Sequence, residues 1–66
     1  MKNHLEELRT QRGIKQEELA AALRVSRQTI SSLENGRYNP SILLAFRLAR
    51  YFDTTVEQLF EYEEEA

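Results

Sequence analysis

A chain of 66 residues has room for one small hydrophobic core, and the 41% of its residues that are apolar suffice to build it. Cysteine is absent, His4 is the single histidine and no glycine-rich phosphate loop occurs, which excludes a disulfide framework, a cysteine-based metal site and any recognisable catalytic constellation. The formal net charge of −2 gives no general attraction to phosphate, the N-terminus lacks the apolar core of a signal peptide, and no apolar run is long enough to span a membrane.

Leu5 and Leu8, with Ile14 beyond them, give a first helix from about Asn3 to Arg12 its inner face, and Gly13 marks the end of that helix. His4 has no second histidine, cysteine or carboxylate cluster at ligand spacing, so it is expected in solvent at the helix start; no metal and no cofactor is expected. From Gln16 to Leu23 the apolar residues Leu19, Ala20 and Leu23 form a narrow helical stripe. After a three-residue break, Ser26 offers its hydroxyl to an unpaired amide at the start of the next helix. There Thr29, Ile30 and Leu33 share one side, while Arg27, Gln28, Ser31, Ser32 and Asn35 share the other, on which nothing favours burial. Gly36 closes the run, because glycine takes the left-handed conformation at low steric cost.

Beyond Pro40, Ser41 opens a fourth helix with Ile42, Ala45, Leu48, Ala49 and Phe52 at helical spacing. Thr54 followed by Glu57 resembles a capping box and introduces a short fifth helix through Leu59 and Phe60. The acidic residues that follow, about 62–66, are expected to form a frayed tail. These elements make one all-α domain of five helices over residues 1–66, without repeats or linkers.

Two short amphipathic helices separated by a tight break, the second with polar hydrogen-bonding side chains on its free side, form the pattern by which a helix-turn-helix, here about residues 16–35, reads DNA. The charge distribution agrees. Residues 1–37 hold seven Lys and Arg against five Glu, a balance of +2, whereas residues 38–66 hold two Arg against six Asp and Glu, a balance of −4. Gln28 suits a bidentate contact with adenine N6 and N7 in the major groove, and Arg27 suits either a phosphate or guanine. Ser31 and Ser32 are short enough to let the helix approach the bases.

On Leu8, Arg9, Arg12, Gln16, Glu18, Leu19, Ala20, Val25-Ser26, Thr29-Ile30-Ser31, Leu33-Glu34, Asn35-Gly36, Pro40, Leu48-Ala49 and Leu59-Phe60, the chain resembles the Cro/C1-type helix-turn-helix family. This family, also called XRE, comprises phage repressors and bacterial transcription regulators. The likeness covers nearly the whole chain and is nearest in outline to the short stand-alone dimeric repressors. It implies a lambda-repressor-like fold and a double-stranded DNA partner. Gln16 matches the position that hydrogen-bonds a phosphate at the start of the second helix, where the helix dipole also favours an anion. Ser26, Asn35, Arg37, Tyr38 and Asn39 fall where family members approach the DNA backbone, with Tyr38 equally suited to packing. Residues at the Arg9 and Glu34 positions form an ion pair in the family, which implies a scaffold role for both.

Two residues depart from the family pattern. Arg24 stands where the turn normally has a glycine at positive φ, a conformation that costs a residue with a Cβ roughly 1 kcal/mol. Lys15 stands where a hydroxyl or amide side chain normally caps the second helix; it cannot accept the amide hydrogen bond, so Glu18 is expected to reach back instead and Lys15 to act on a phosphate.

A module of this size generally needs two copies on a palindromic site for sequence-specific binding. Leu43, Leu44 and Phe46 exceed what the inner face of the fourth helix requires. In related short repressors the C-terminal segment supplies the seam, which favours Leu59, Phe60 and Tyr62 with Val56 here, their alternative being completion of the core. The polar Met1-Lys2-Asn3-His4 argues against strands pairing at the two ends. The functional expectation is a transcription regulator, in the sense of a repressor, that binds a palindromic operator as a homodimer. The alternative is an antitoxin or bridging module whose main partner is another protein. The cysteine-free composition suits a cytoplasmic setting.

Overall fold

Each helix contributes at least one fully buried side chain to a single core, and that shared burial holds five short helices together. The computed structural model describes residues 2–62. Its helices are α1 (Leu5–Gln11), α2 (Gln16–Leu23), α3 (Arg27–Glu34), α4 (Ile42–Tyr51) and α5 (Val56–Leu59). Leu5, Leu19, Ile30, Leu33, Leu48 and Leu59 are completely enclosed, and Leu8, Ile14, Val25, Tyr51 and Val56 pack partly buried around them. No helix here is long enough to be stable in water alone, so the apolar stripes have to find one another. The expected acidic tail lies outside the described residues from Glu63 onward, and Tyr62 is exposed.

Local chemistry sets the helix ends. Ser26 Oγ accepts from the Thr29 amide at 3.1 Å, and Ser41 Oγ accepts from the Leu44 amide at the same distance. The Lys15 amide donates to Glu18 Oε1 at 3.3 Å, which is half of a capping box, since the Lys15 ammonium has no lone pair for the other half. Arg24 takes the left-handed conformation expected of the turn, with φ 58° and ψ 41°. There its amide and that of Val25 reach back to Ala21 O and Ala20 O and satisfy the carbonyls at the end of α2.

On α4 the inner face holds Leu44, expected to be surplus, while Ile42, expected inside, is exposed. Three further features differ from the sequence reading. The fifth helix is capped one residue later than expected: Thr55 Oγ1, not Thr54, accepts from the Gln58 amide at 3.1 Å. The cause is Asp53, a second non-glycine residue in the left-handed region (φ 54°), which adds a residue to the α4–α5 turn. Thr54 instead turns its hydroxyl to Gln58 Oε1 at 2.9 Å. Second, α1 begins at Leu5, because the residues before it pair with the other end of the chain. Asn3 and Phe60 form an isolated antiparallel bridge, the His4 amide donates to Leu59 O at 2.9 Å, and the Glu61 amide donates to Lys2 O at 2.9 Å. The ends therefore pair despite their polar sequence. This pairing needs only backbone groups, and the side chain of Asn3 adds a helix cap, accepting from the Leu5 amide and donating to Leu33 O at 2.7 Å.

Third, Leu59 is 0% and Phe60 is 6% exposed. Both belong to the core beneath the terminal bridge, so neither is available to a seam with another molecule. Phe60→Ala should therefore lower the stability of the folded chain by about 3–5 kcal/mol in chemical denaturation. In the same assay Thr55→Ala should cost about 1 kcal/mol, as expected for loss of a helix cap, and Thr54→Ala distinctly less; equal losses at the two threonines would contradict the cap register.

Candidate nucleic-acid interface

The surface that carries the polar side of α3 is built on an ionic network behind it. Arg9, on α1, donates through Nε to Glu34 Oε2 at 2.7 Å and through Nη2 to Glu34 Oε1 at 3.2 Å. Its remaining terminal nitrogen, Nη1, donates to Ile14 O at 2.8 Å. Gln16, the first residue of α2, donates through Nε2 to Glu34 Oε1 at 2.8 Å. A carboxylate whose side chain is only 2% exposed thus ties three helices at one point. The hydrogen bond to Glu34 raises the Arg9 pKa above its ordinary value, and the charges of Glu34 and Glu6 act the same way against desolvation. Since a raised folded-state value contributes stability that is lost only as pH climbs through it, the contribution of the Arg9 charge is lost only above the ordinary arginine range.

For Gln16 the consequence is orientation. One Nε2 hydrogen is committed to Glu34, which leaves the second hydrogen and the carbonyl oxygen for the outside. Gln16 shares a shallow depression with Lys15, Glu17, Arg9 and Arg27. Arg27 continues into a second depression with Gln28 and Ser31, and Gln28 into a third with Ser26, Thr29, Ser32 and Tyr38. Arg27 and Gln28 are exposed, Ser31 and Ser32 half-buried, and Tyr38 is 45% exposed. Eight of the expected contact residues therefore form one continuous surface over α3 and the N-terminus of α2. Arg37 and Asn39 are exposed on the loop that follows. Asn35 is exposed too, but it lines a groove at the far end of α3 with Lys2, Asn3, His4, Glu7 and Glu61, apart from the other three depressions.

Arg12 belongs to the scaffold. Its guanidinium donates to Tyr51 O at 3.0 Å and Phe52 O at 3.1 Å at the C-terminus of α4, and sits 5.1 Å from the centre of the Phe52 ring. With Arg9 committed as well, the cations on this side of the molecule that remain for a ligand are Lys15, Arg24, Arg27 and Arg37, all exposed. The sequence signals neither the grip of Arg12 on α4, which spans some forty positions, nor the Gln16–Glu34 hydrogen bond. Thr29 was missed in another way: helical spacing groups it with Ile30, yet it is half-buried at the groove edge with its hydroxyl 2.8 Å from Ser26 Oγ. Its i,i+3 relation to both Ser26 and Ser32 is the signal that would have found it. His4 stands just before α1 as expected, its ring nitrogens 3.4 Å from Glu7 and 3.9 Å from Glu61. Among the described residues no cluster of His, Asp and Glu has the geometry of a metal site.

A short helix, a tight left-handed turn and a capped second helix with a polar outer side define the class: this is a helix-turn-helix domain of a DNA-binding protein. The helix-turn-helix family profile matches residues 5–59, and the chain belongs to that family, in its Cro/C1 or XRE type, whose members have the all-α lambda-repressor-like fold and are not enzymes. Similar full-length relatives include an uncharacterised HTH-type transcriptional regulator of Methanocaldococcus jannaschii, 46% identical over 65 residues that make up 98% of each chain. The uncharacterised HTH-type transcriptional regulator YgzD of Bacillus subtilis is 43% identical, again over 98% of both chains. The HTH-type transcriptional activator BcrR of Enterococcus faecalis is 37% identical over 91% of this chain, which spans only 29% of that protein.

Two substitutions test the frame of this surface. Glu34→Ala leaves the Arg9 guanidinium partly buried without its partner and should cost about 3 kcal/mol in urea denaturation. Arg24→Gly should raise the melting temperature, by an amount equivalent to up to about 1 kcal/mol, because it removes the Cβ from a left-handed residue; a fall in melting temperature would contradict this.

Proposed function

We propose that this DNA-binding transcription regulator is a sequence-specific repressor. In this reading it occupies a palindromic operator as a homodimer in the cytoplasm and blocks polymerase by steric exclusion. The observation that carries the reading is the outer side of α3. Arg27 and Gln28 stand exposed and Ser31 and Ser32 lie low beside them, while Gln16 is held at the flank by Glu34. Long hydrogen-bonding side chains beside short ones allow the helix to enter the major groove and present donors to base edges.

In the roles this reading assigns, Gln28 reads adenine and Arg27 reads guanine or clamps a phosphate, with Ser31 and Ser32 in close approach. Lys15, Gln16, Ser26, Arg37, Tyr38 and Asn39 hold the sugar-phosphate backbone, whereas Asn35, expected with them, lines the separate groove at the far end of α3. The amide-rich start of α2 adds a partial positive charge where Gln16 and Lys15 would meet phosphate. Contacts of this kind carry no sequence information, but they fix the register in which Arg27 and Gln28 read. Two copies are required because one α3 spans only a few base pairs, and a two-fold pair would place its recognition helices roughly 34 Å apart on one face of the duplex.

Selection from a random pool of duplex DNA tests this directly. Enrichment of a palindrome with half-sites about one helical turn apart is expected; failure to enrich any sequence would transfer the chain to the reading in which its main partner is another protein. On the selected site, Gln28→Ala should weaken binding by about 1–3 kcal/mol and relax the preference at one base pair, with thermal stability unchanged. Arg37→Ala should weaken binding to all sequences alike and flatten the dependence on salt, as loss of a phosphate contact does.

A further inference from the structure

The outer side of α4 changes character along its length. Leu44, Ala45, Leu48 and Ala49 are buried, and at 100° per residue the opposite side carries Leu43, Phe46, Arg47 and Arg50, with Ile42 beside Leu43. Ile42 is 76%, Leu43 69% and Phe46 58% exposed. The first half of this side is therefore apolar and the second half cationic. Nothing within the described residues covers the apolar half, although a chain this small has few large apolar side chains to spare.

We infer that this half of α4 is the two-fold seam between two copies of the chain, with Leu43 and Phe46 of one copy packing against Phe46 and Leu43 of the other and Ile42 closing the edge. The seam rests on the homodimer reading of the preceding subsection and gives it a surface.

Three observations favour a second copy as the occupant. The C-terminal alternative loses its two central residues, because Leu59 and Phe60 are already in the core and leave only Tyr62 and a half-buried Val56. The size is suitable: the three side chains offer on the order of 400 Å² of apolar surface. That is about the apolar share expected of a standard interface of about 800 Å² per partner. The charge pattern then selects the symmetry. When two α4 helices cross antiparallel about an axis between Leu43 and Phe46, Arg47 and Arg50 of the two copies point away from the seam in opposite directions. A head-to-tail contact would instead lay the cationic turn of one copy on the apolar turn of the next, burying charge without a partner. The isologous arrangement is the one that removes the apolar turn from water while leaving all four arginines solvated.

The absence of cysteine makes the test clean, since a single introduced thiol is the only one in the molecule. Without DNA, the wild-type chain should sediment as a dimer at about 100 μM, well above a micromolar dissociation constant. Leu43→Glu should raise the dissociation constant at least about 100-fold, to a monomer under the same conditions, with its helical circular dichroism retained because the site is exposed. Phe46→Cys should be captured as a covalent dimer by a short bismaleimide, whereas Glu17→Cys, exposed on α2, should not. If Leu43→Glu fails to fold, the crosslinking pair decides the question. A monomeric wild type, a Leu43→Glu protein that remains a dimer, or equal crosslinking at residues 46 and 17 would overturn the seam. Because these measurements omit DNA, they separate the two readings: a monomer that still selects a palindrome removes the seam alone, and a dimer that selects no sequence removes the operator reading alone.

Discussion

The structure depends on one buried carboxylate. Glu34 accepts three hydrogen bonds, two from Arg9 on α1 and one from Gln16 on α2, at the last residue of α3. Without them the end of α3 would be tied by the Asn3 hydrogen bond to Leu33 O but would meet α2 only through apolar side chains such as Ile30 and Leu33, and apolar contacts are not directional. A bidentate guanidinium–carboxylate pair is directional. An ion pair this sheltered need add little net stability over an apolar substitute, so its value to the fold lies in geometry: the helix that presents Arg27 and Gln28 is fixed relative to the one that presents Gln16.

The electrostatic design follows from the same division of labour. A chain of net charge −2 is a poor generic polyanion binder. Arg9 and Arg12 satisfy a carboxylate and two helix-terminal carbonyls inside the scaffold. Lys15, Arg24, Arg27 and Arg37 are exposed around α2 and α3, while the acidic residues of the second half are concentrated from Asp53 onward. A molecule polarised in this way is oriented as it approaches a duplex and is only weakly held in the wrong pose, which favours discrimination over raw affinity.

Much of this was legible in the sequence because the relevant signals are local. Ser26 and Ser41 cap helices within three residues of themselves, and the left-handed turn at Arg24 follows from the resemblance of its surroundings to a known pattern. The polar side of α3 is a matter of helical spacing alone. What could not be read depends on distant partners or on ambiguous apolarity. Thr54 and Thr55 are equally good caps until Asp53 adopts positive φ and shifts the register by one. Phe60 is equally plausible on a seam or in a core until the N-terminal segment is seen to pair over it, and an exposed leucine at position 43 cannot be told from a buried one by hydropathy. Arg12 looks like one more cation for DNA until α4 brings two carbonyls to it.

The pairing of Asn3 with Phe60 joins residues separated by almost the entire chain. It constrains the order in which the fold can close. Leu59 and Phe60 follow the four longer helices in the chain, yet Leu59 is a fully enclosed core side chain and the carbonyl of Leu59 receives the amide of His4 just before the first helix. The segment before Leu59 can form its individual helical turns but has no complete core to close, and the cost of bringing the two distant segments together is repaid only when Leu59 and Phe60 join them. Closure of the domain accordingly waits on the fifth helix, and a chain cut before Leu59 lacks the closing contact altogether.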